Sequence, residues 1–600
     1  MDKKNTLIGA SLLAAAFAVF MLAPKSPAPT QPATAQPATD SATTPGSVAP
    51  AATTAAPNGT FATIARDAAE ATLTTLANEF IEARLTNFGG AVREVAFKQY
   101  PEVQGQPAPY VFNRLHEDPI LAFTDFPGLG RTTAFEVVRA TPTEVVYRTV
   151  LDGRIEVTRR YALTDPATKG GDPYRLRHET TFRNLTDGTA PLPRAALSLG
   201  TATLLNVHDA GLYLNVTSHD GEDLSYTERG DLEGGGFGSL FGSGRAPVGV
   251  LEKPGAVAWA AVKNQFFASI YTPDQPGIAV IARRIELPPF PNSTIANIGM
   301  TGATRFDLAA LAPNGTLTLG GHLYVGPSEY KRLAKFEKQE DGVMQYSKGI
   351  TKIFLSGYVA PLENTLMNLA HKWVGNWGVA IILMTLILKI VSLPFTIAAS
   401  RSAKRMAKLQ PEMKEIREKY KDNPQKQQMA TMELFKRHKV NPMGGCIPIL
   451  ITMPLFFGFF AMLQSAPELR FQPFLWARDL SAPDTVGHLF GFPINIMPVL
   501  LGITTLVQMQ LTPTASLDKT QAFMMKLMPI VFVAFCYNFS CALALYSTIN
   551  GIFTIGQQLV INKMKDPEPG PAGPGSAATV TAASFMGKKK MKNVTPKKKG

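Results

Sequence analysis

The stretch KLMPIVFVAFCYNFSCALALYSTINGIFTIGQQLVI, residues 526–561, decides how this chain folds. Lys526 is its only charged residue, and as one helix its 36 residues would be about 54 Å long. A hydrocarbon core is about 30 Å thick and is crossed by about 20 apolar residues. The stretch is therefore too long for one membrane helix. We predict that it reverses near residues 538–541 into two short spans, about 526–539 and 542–561.

Four further apolar windows have membrane length, namely residues 7–23, 375–397, 446–464 and 491–511. The whole chain is 18% charged and 45% hydrophobic, which is close to the composition of a soluble protein. The apolar windows arise because the charged residues are concentrated in other parts of the chain. With the two spans above, the windows predict six membrane spans in total. A purely soluble enzyme and a fully disordered chain are both excluded.

The charge distribution predicts which side of the membrane each segment faces. Residues 401–440 carry twelve Lys or Arg against five acidic residues, and a lysine-rich run occupies 588–599. Loops rich in Lys and Arg stay in the cytoplasm. Six spans keep the N-terminus, this loop and the tail on that side, whereas five would translocate the tail. We therefore expect cytoplasmic termini and a periplasmic middle domain.

Both ends of the chain have compositions that do not build a core. Lys3 and Lys4 precede the first apolar window, which is typical of a cleaved signal peptide or an uncleaved anchor, and we expect residues 1–23 to be an anchor. Residues 24–60 are mostly Pro, Ala, Thr, Gln and Ser, which predicts an extended linker. The basic tail, 566–600, either binds anionic lipid or ribosomal RNA, or is a solvated segment that only sets topology.

Residues 61–340 alternate between apolar and polar side chains in short runs such as IEVT at 155–158. This period of two predicts β-strands, and 280 residues of it predict a large antiparallel β-sandwich. In the connector, 341–374, one helical face carries Leu362, Leu366, Leu369 and Trp373. We expect this helix to lie along the membrane surface. The alternative is an amphipathic helix packed on the β-domain.

The cytoplasmic loop 401–440 has a helical pattern of apolar residues. They lie at Met406, Leu409, Met413, Ile416 and Tyr420 and, after a turn at 422–424, at Met429, Met432 and Phe435. Spacings of three and four predict two helices closed into a hairpin by a heptad-like seam. Because the apolar seam is used internally, we expect the cations Lys404, Arg405 and Lys408 to recruit substrates or ribosomes.

No catalytic or metal-binding motif is present in the sequence. HExxH, GxSxG, P-loop and GxGxxG patterns are absent. Cys446, Cys536 and Cys541 have no CxxC spacing and all lie in apolar windows. We therefore expect a protein that is not an enzyme and uses no cofactor or metal. An enzyme hidden within the membrane is the alternative.

Lys389 lies within the second apolar window, although a cation there costs at least about 2.5 kcal/mol. It belongs to a polar stripe at helical spacing, formed by Thr385, Lys389, Ser392 and Thr396. Weaker stripes recur in later windows, at Ser547, Asn550, Thr554 and Gln557 and at Thr505, Gln508 and Thr512. If the stripes face one another, they line a wet groove open to the cytoplasm, with Lys389 at its deep end. One alternative is that these polar side chains form hydrogen bonds that hold neighbouring helices together. The other is a lysine that snorkels to the membrane surface.

Several short motifs resemble those of the YidC/Oxa/Alb family of membrane protein insertases. They are Val374-Gly375-Asn376-Trp377-Gly378, the Lys389 position, Asn441-Pro442-Met443-Gly444-Gly445-Cys446, Met453-Pro454 and Met528-Pro529. Their order, with an anchor before them and a β-domain ending in Val325-Gly326-Pro327, resembles the Gram-negative branch with its large periplasmic domain.

This resemblance implies that the protein inserts hydrophobic segments of nascent proteins into the inner membrane, alone or beside the Sec translocon, without nucleotide or cofactor. The insertase core would be residues 375–565. In this family a polar groove carries one positive side chain, which implies Lys389, and the hairpin is associated with the ribosome and targeting machinery. The periplasmic domain of the family is similar to sugar mutarotases. The implied partners are nascent membrane proteins, the Sec translocon, the ribosome with its targeting machinery, and membrane lipids.

Three positions depart from the bacterial archetype of that family. Lys389 stands in place of Arg, Thr452 in the groove stands in place of Gln, and Phe539-Ser540-Cys541-Ala542 stands in place of a Phe-Pro-Ser-Gly turn. Lysine keeps the charge of arginine but loses its bidentate geometry.

Two other functions stay open. One is a transporter or channel, although the sequence has no internal repeat, and the other is a membrane-anchored periplasmic glycan binder.

Overall fold

A computed structural model of the protein describes residues 71–207, 209–234, 246–290, 296–438, 447–511 and 519–563. The features predicted outside these ranges are the anchor 1–23, the linker 24–60, the tail 566–600, the motif at 441–446 and Thr512. The described residues form a large β-rich domain followed by a helical one.

The β-rich domain contains the first seventeen of the described strands. They are β1 (Leu73–Ala77), β2 (Ile81–Thr86), β3 (Ala91–Pro101), β4 (Pro109–Phe112), β5 (Glu136–Ala140), β6 (Glu144–Leu151), β7 (Ile155–Leu163), β8 (Arg175–Asn184), β9 (Ala195–Thr203), β10 (Asn215–His219), β11 (Leu224–Glu228), β12 (Val250–Val257), β13 (Trp259–Lys263), β14 (Phe267–Pro273), β15 (Gly277–Leu287), β16 (Asn297–Phe306) and β17 (Thr316–Pro327). Neighbouring strands pair antiparallel in a nine-stranded sheet, β11-β10-β13-β14-β17-β8-β7-β6-β5, and two four-stranded sheets, β1-β2-β3-β4 and β12-β15-β16-β9. The sequence pattern correctly predicted a large region of β-structure here.

Strand β7 shows how the alternating pattern builds the core of this domain. Val157, Arg159 and Tyr161 lie on its inner face and are fully buried. The Nη1 of Arg159 donates a 2.7 Å hydrogen bond to the carbonyl oxygen of Gly89, and its Nη2 donates to that of Leu121. Because backbone carbonyls satisfy the guanidinium, a cation is tolerated at an inward position that the pattern would fill with an apolar residue.

The helical part follows the β-rich domain. Its helices are α2 (Tyr330–Leu333), α3 (Ile350–Ile353), α4 (Ser356–Val374), α5 (Trp377–Lys408), α6 (Gln410–Lys419), α7 (Pro424–Arg437), α8 (Ile447–Gln464), α9 (Ile496–Leu511), α10 (Lys519–Cys536) and α11 (Cys541–Lys563), whereas α1 (Arg229–Glu233) lies within the β-rich domain. Short 3-10 helices occur at Glu340–Met344 and Pro467–Leu469, and a hairpin of β18 (Thr485–Leu489) and β19 (Phe492–Asn495) precedes α9. In the described ranges, Trp377–Ile397 is long and apolar enough to cross a membrane, with a mean hydropathy of 2.3, and Thr452–Gln464 and Ile496–Leu511 are shorter apolar helices.

Helix α4 buries a mixed face, with Ala360 and Met367 beside Glu363, and exposes most of the predicted apolar face. Leu362, Leu369 and Trp373 are exposed, whereas Leu366 packs partly buried against the core. Glu363 is fully buried. The carboxylate of Glu363 lies beside Gly458 of α8, where a Cβ would come within 2.5 Å of it. The leucine face therefore does not pack on the β-rich domain, and it is open to another environment.

The turn between α4 and α5 explains one of the sequence motifs. Gly375 ends α4 with a φ of 68°, the left-handed geometry that favours glycine. The Oδ1 of Asn376 accepts a 3.1 Å hydrogen bond from the N–H of Val379 and so caps the first turn of α5. A Cβ on Gly378 would lie 2.2 Å from the ring of Phe474. These residues therefore set the direction in which α5 leaves the turn.

Helix α5 is longer than the predicted span. That span ends at residue 397, but α5 continues to Lys408, because residues 398–408 are rich in Ala, Lys and Arg, which favour helix. The predicted hairpin, 401–440, therefore begins with α6. Its three expected recruitment cations, Lys404, Arg405 and Lys408, lie on the last two turns of α5 instead.

Two later boundaries also differ from the sequence prediction. The predicted span 491–511 begins as a strand, since β19 pairs with β18 and α9 starts only at Ile496. The last apolar stretch is two helices, but α10 ends at Cys536, before the predicted 539, and the chain reverses between Cys536 and Cys541. Apolar composition alone does not distinguish a strand or a turn from the adjoining helix.

Helices α6 and α7 form a hairpin with a small apolar core. That core contains Leu409, Leu434 and Phe435, with Met413 and Ile416 partly buried against it. Met429 and Met432, which the sequence pattern places in the seam, are exposed. Helix α7 turns its Leu434 side toward α6, so these methionines are left on its outer side.

Candidate functional site

A cavity of about 310 Å³ lies between α5, α8, α9 and α11. Its lining consists of Thr385, Leu388, Lys389, Ser392, Thr396, Thr452, Met453, Leu455, Phe459, Gln508, Tyr546, Asn550 and Thr554. Residues from four helices that are distant in sequence therefore surround one partly polar space.

Eight of the ten predicted groove residues line this cavity. They are Thr385, Lys389, Ser392, Thr396, Thr452, Gln508, Asn550 and Thr554. Thr505, Ser547 and also Gln557 are not part of the lining. The hydroxyl of Thr505 donates to the carbonyl oxygen of Leu501 in its own helix at 2.7 Å, and Ser547 is buried.

Lys389 makes a polar contact that crosses the cavity. Its Nζ donates a 2.9 Å hydrogen bond to the Oγ1 of Thr554, which joins α5 to α11. Among the described residues, no carboxylate pairs with this ammonium group within 4 Å. The lysine therefore presents a positive charge to the cavity that the described part of the chain does not neutralise.

The hydroxyl groups of the α5 stripe bond within their own helix. Thr385 donates to the carbonyl oxygen of Ile381 at 2.7 Å, and Thr396 donates to that of Ser392 at 2.8 Å. The hydroxyl of Ser392 donates in the same way to the carbonyl of Lys389 at 3.2 Å. Because these donors are satisfied locally, the hydroxyls do not hold helices together, and their acceptor lone pairs stay available to the cavity.

Tyr546 and Phe459 are lining residues that the polar stripes did not predict. Their rings stack with centroids 3.8 Å apart and join α11 to α8 as an aromatic wall. On α11 the lining residues are Tyr546, Asn550 and Thr554, spaced four and four, so Ser547 lies one position off that face. A search that allowed tyrosine among the polar residues would have found this row.

Lys404 differs from the two other expected recruitment cations. Its Nζ donates to the carbonyl oxygen of Ile561, in the last turn of α11. A cation at this place satisfies a free carbonyl group and opposes the negative end of the helix dipole. Lys404 therefore connects α5 to α11, whereas Arg405 and Lys408 are exposed.

The comparisons with known proteins agree with the motifs. Residues 369–568 match the model of the family described as 60Kd inner membrane protein. A membrane protein insertase YidC of Prosthecochloris aestuarii is 31% identical over 64% of this chain and 64% of its own length. One from Chlorobaculum tepidum is 33% identical over 56% of this chain and 57% of its own length. The chain thus spans less than two thirds of the length of these curated relatives.

A solved structure is also similar. It is an active YidC insertase with its first transmembrane domain resolved, and it is 16% identical, with a TM-score of 0.30. The alignment covers 83% of this chain and 96% of that one.

Within the described residues, no cluster of three or more His, Cys, Asp or Glu is placed to hold a metal ion.

Proposed function

We propose, from the resemblance to the YidC family that these relatives support, that this chain inserts hydrophobic segments of nascent proteins into the inner membrane. The family match over residues 369–568 and these relatives support a YidC-type membrane protein with a large β-rich domain. The substrate segment would enter a polar groove from the cytoplasm and leave it for the lipid, alone or with the Sec translocon. No fuel is needed in this scheme.

The cavity around Lys389 is the observation that supports this proposal. A polar space between apolar helices shortens the hydrocarbon path that a polar substrate tail must cross. The uncompensated Lys389 ammonium would attract acidic or polar tails, and the Thr and Ser oxygens would hold water. Burial of the substrate's own apolar segment in lipid then drives the reaction.

The proposed topology has six spans. Residues 1–23 would form the first span, and the apolar parts of α5, α8, α9, α10 and α11 would form the rest. The β-rich domain would be a sandwich in the periplasm, since the basic loop and tail are expected in the cytoplasm. The exposed leucine face of α4 supports a position along the membrane surface.

The proposed cytoplasmic partners are the ribosome and its targeting machinery. The exposed cations Arg405 and Lys408 and the hairpin of α6 and α7 support this, because they present positive charge on the side where nascent chains emerge. The tail beyond residue 566 would add salt-dependent affinity.

Crosslinking tests the groove directly. A photoreactive side chain at Asn550, which lines the cavity, should crosslink a ribosome-bound nascent segment. The matched control is Ile552, two residues along α11 and exposed on another face. Equal crosslinking at both positions, or none at Asn550, would refute the groove as the substrate path.

Two rival functions have their own readouts. Solute flux through proteoliposomes that hold only this protein, with no insertion of a single-span substrate, would favour a transporter or channel. Loss of activity after deletion of about residues 65–320 would favour a periplasmic glycan binder, whereas an insertase core should keep most of its activity.

A further inference from the structure

Residues 485–495 form a hairpin that the proposed groove does not use. Strands β18 and β19 pair antiparallel as far as Leu489 and Phe492. The two turn residues between them, Phe490 and Gly491, have φ values of 51° and 82°. Positive φ at both central positions is typical of a type I′ turn, which Asn-Gly or Asp-Gly normally occupies.

Phe490 is the unusual residue of this turn. A left-handed backbone is an outlier for a bulky side chain, and the residue is 97% exposed. Asparagine at this position would lower the backbone cost and remove an apolar ring from water. A residue that is unfavourable for both the turn and the solvent indicates that its ring has a partner outside the chain.

The side chains around Phe490 are also apolar and open. Phe492 is 69% exposed, Leu489 58% and Val486 50%. Residues 485–495 contain no Asp, Glu, Lys or Arg. Single exposed apolar residues are ordinary, but four in one short hairpin, three of them at its tip, indicate an interaction. Because the patch has no charge, its partner should be apolar.

Hydrogen bonds hold the base of the hairpin firmly. The Oδ1 of Asn495 accepts from the Thr485 hydroxyl at 2.6 Å, and its Nδ2 donates to the carbonyl oxygen of Tyr537 at 2.8 Å. The Oδ2 of Asp484 accepts from the N–H of Met497 at 2.7 Å. Tyr537 lies in the reversal between α10 and α11. The base is therefore fastened where α9 starts and α10 ends, and the tip is free.

The exposed apolar surface continues from the hairpin into α9. Val499, Ile503 and Leu506 are exposed on that helix, and β19 leads into it without an intervening residue. In a membrane protein, such a flank of an apolar helix faces lipid. The hairpin is therefore at the level where α9 meets the membrane surface, a level at which aromatic side chains are enriched.

We propose that the hairpin tip, residues 489–492, inserts its apolar side chains just below the headgroups of the outer leaflet of the bilayer, where they reach the ends of the acyl chains. The inference rests on the membrane placement in the proposed function. A two-stranded hairpin has edges with unpaired backbone groups, which the hydrocarbon core cannot satisfy, so the tip stops at the interface. There it anchors α9 at a constant depth. Gln508 of the groove lies about 18 Å further along this helix.

The test measures the depth of the tip in vesicles of phosphatidylethanolamine and phosphatidylglycerol. A nitroxide is attached to Leu489→Cys, next to the retained Phe490, in the full chain, with the three native cysteines replaced by Ala. Electron paramagnetic resonance then compares the access of oxygen, which is enriched in lipid, with that of a water-soluble nickel chelate. The matched control is Leu212→Cys, a position in the β-rich domain that is 72% exposed.

The ratio of oxygen to nickel access at position 489 should be several-fold higher than at 212. An equal ratio would overturn the inference, because the tip would then lie in water. Protection from both reagents would also overturn it, since a protein would cover the tip. Insertion of a single-span substrate is measured on the same vesicles. If the tip lies in water and the substrate is inserted normally, only this inference is refuted. If the tip lies in lipid and the substrate is not inserted, only the proposed function is refuted.

Phe490→Asn gives a second measurement, because Asn suits the left-handed turn and keeps the hairpin folded. With the nitroxide at Val486→Cys, adding Phe490→Asn should lower the ratio of oxygen to nickel access several-fold, since the tip loses its anchoring ring. An unchanged ratio would refute anchoring by Phe490.

Discussion

Lys389 is the residue on which the proposed groove depends most. Its ammonium group bonds to Thr554, and no described carboxylate neutralises it. If it attracts substrate tails, Lys389→Ala should slow insertion of an acidic-tailed substrate about tenfold, equivalent to about 1.4 kcal/mol. Lys389→Arg should stay near wild type, and Lys389→Glu should be the slowest. The measurement is insertion of matched substrates with acidic, neutral and basic tails at equal amounts of folded protein.

Thr554→Val is the control for that series, because it removes the hydrogen bond and keeps the charge. It should slow insertion much less than Lys389→Ala. If Lys389→Ala inserts the acidic-tailed substrate as fast as wild type, the lysine has no part in attracting tails and merely snorkels.

Glu363 gives a pH-dependent prediction. Burial raises the pKa of its carboxyl to about 10, and neither carboxylate oxygen has a hydrogen-bond partner among the described residues. The unfolded chain loses this proton near pH 4.5, whereas the folded protein keeps it up to about pH 10. The free energy of unfolding therefore falls by up to about 1.4 kcal/mol per pH unit as the pH rises between these values.

Glu363→Gln should remove this loss, because the amide has no proton to release. The difference in thermal midpoint between Glu363→Gln and wild type in detergent should grow from pH 5 to pH 9. Glu418→Gln, at an exposed position of α6, is the control. A difference that is the same at both pH values would contradict the buried, protonated carboxyl.

At the scale of one element, the cations at the end of α5 have two different roles. Lys404 bonds to the last turn of α11, whereas Arg405 is exposed. Lys404→Glu should lower the free energy of unfolding by about 1 kcal/mol, since it loses a hydrogen bond and places a like charge at a helix C-terminus. Arg405→Glu should leave the thermal midpoint unchanged and weaken ribosome binding. Thermal unfolding and ribosome co-sedimentation of both variants check these two expectations. If both variants lower the thermal midpoint equally, Lys404 has no special structural role.

At the scale of the whole molecule, Arg470 connects the β-rich domain to the helical part. Its two Nη atoms donate to the carbonyl oxygens of Pro101 and Glu102. Its guanidinium lies over the rings of Tyr110 and Phe267, at 5.8 and 5.6 Å from their centroids. This buried cation holds β3 and β4 against the segment that follows α8.

Arg470→Ala should loosen this contact. Hydrogen exchange of the amides in β3 and β4 should become faster, whereas the more distant β7 should keep its rate. Arg478→Ala is the matched control, because that side chain is exposed on the same segment. Unchanged exchange in Arg470→Ala would show that other contacts dominate, such as the hydrogen bond from Gln265 to the carbonyl of Gln464.

The contact at Arg470 also changes how a deletion of the β-rich domain is designed. Removal of about residues 65–320 would leave this guanidinium without its carbonyl and aromatic partners. The deletion should therefore carry Arg470→Ser, so that loss of activity is not caused by new contacts of the released guanidinium.

Features that depend on length and local period could be predicted from the amino-acid sequence. The excessive length of residues 526–561 predicted a reversal, because no single helix of that size fits a bilayer. Alternation with a period of two predicted the β-rich domain, and helical spacing grouped Lys389 with Thr385, Ser392 and Thr396. Each of these inferences uses only neighbours within a few turns, which the chain itself supplies.

Which helix faces meet could be established from the three-dimensional packing and not from the sequence. It placed Tyr546 rather than Ser547 in the cavity, left Met429 and Met432 outside the hairpin seam, and tied Lys404 to α11. A polar or apolar residue at a given spacing marks a face of a helix. Which partner covers that face depends on helices that are distant in sequence, and the rotation of each helix follows from how their side chains pack.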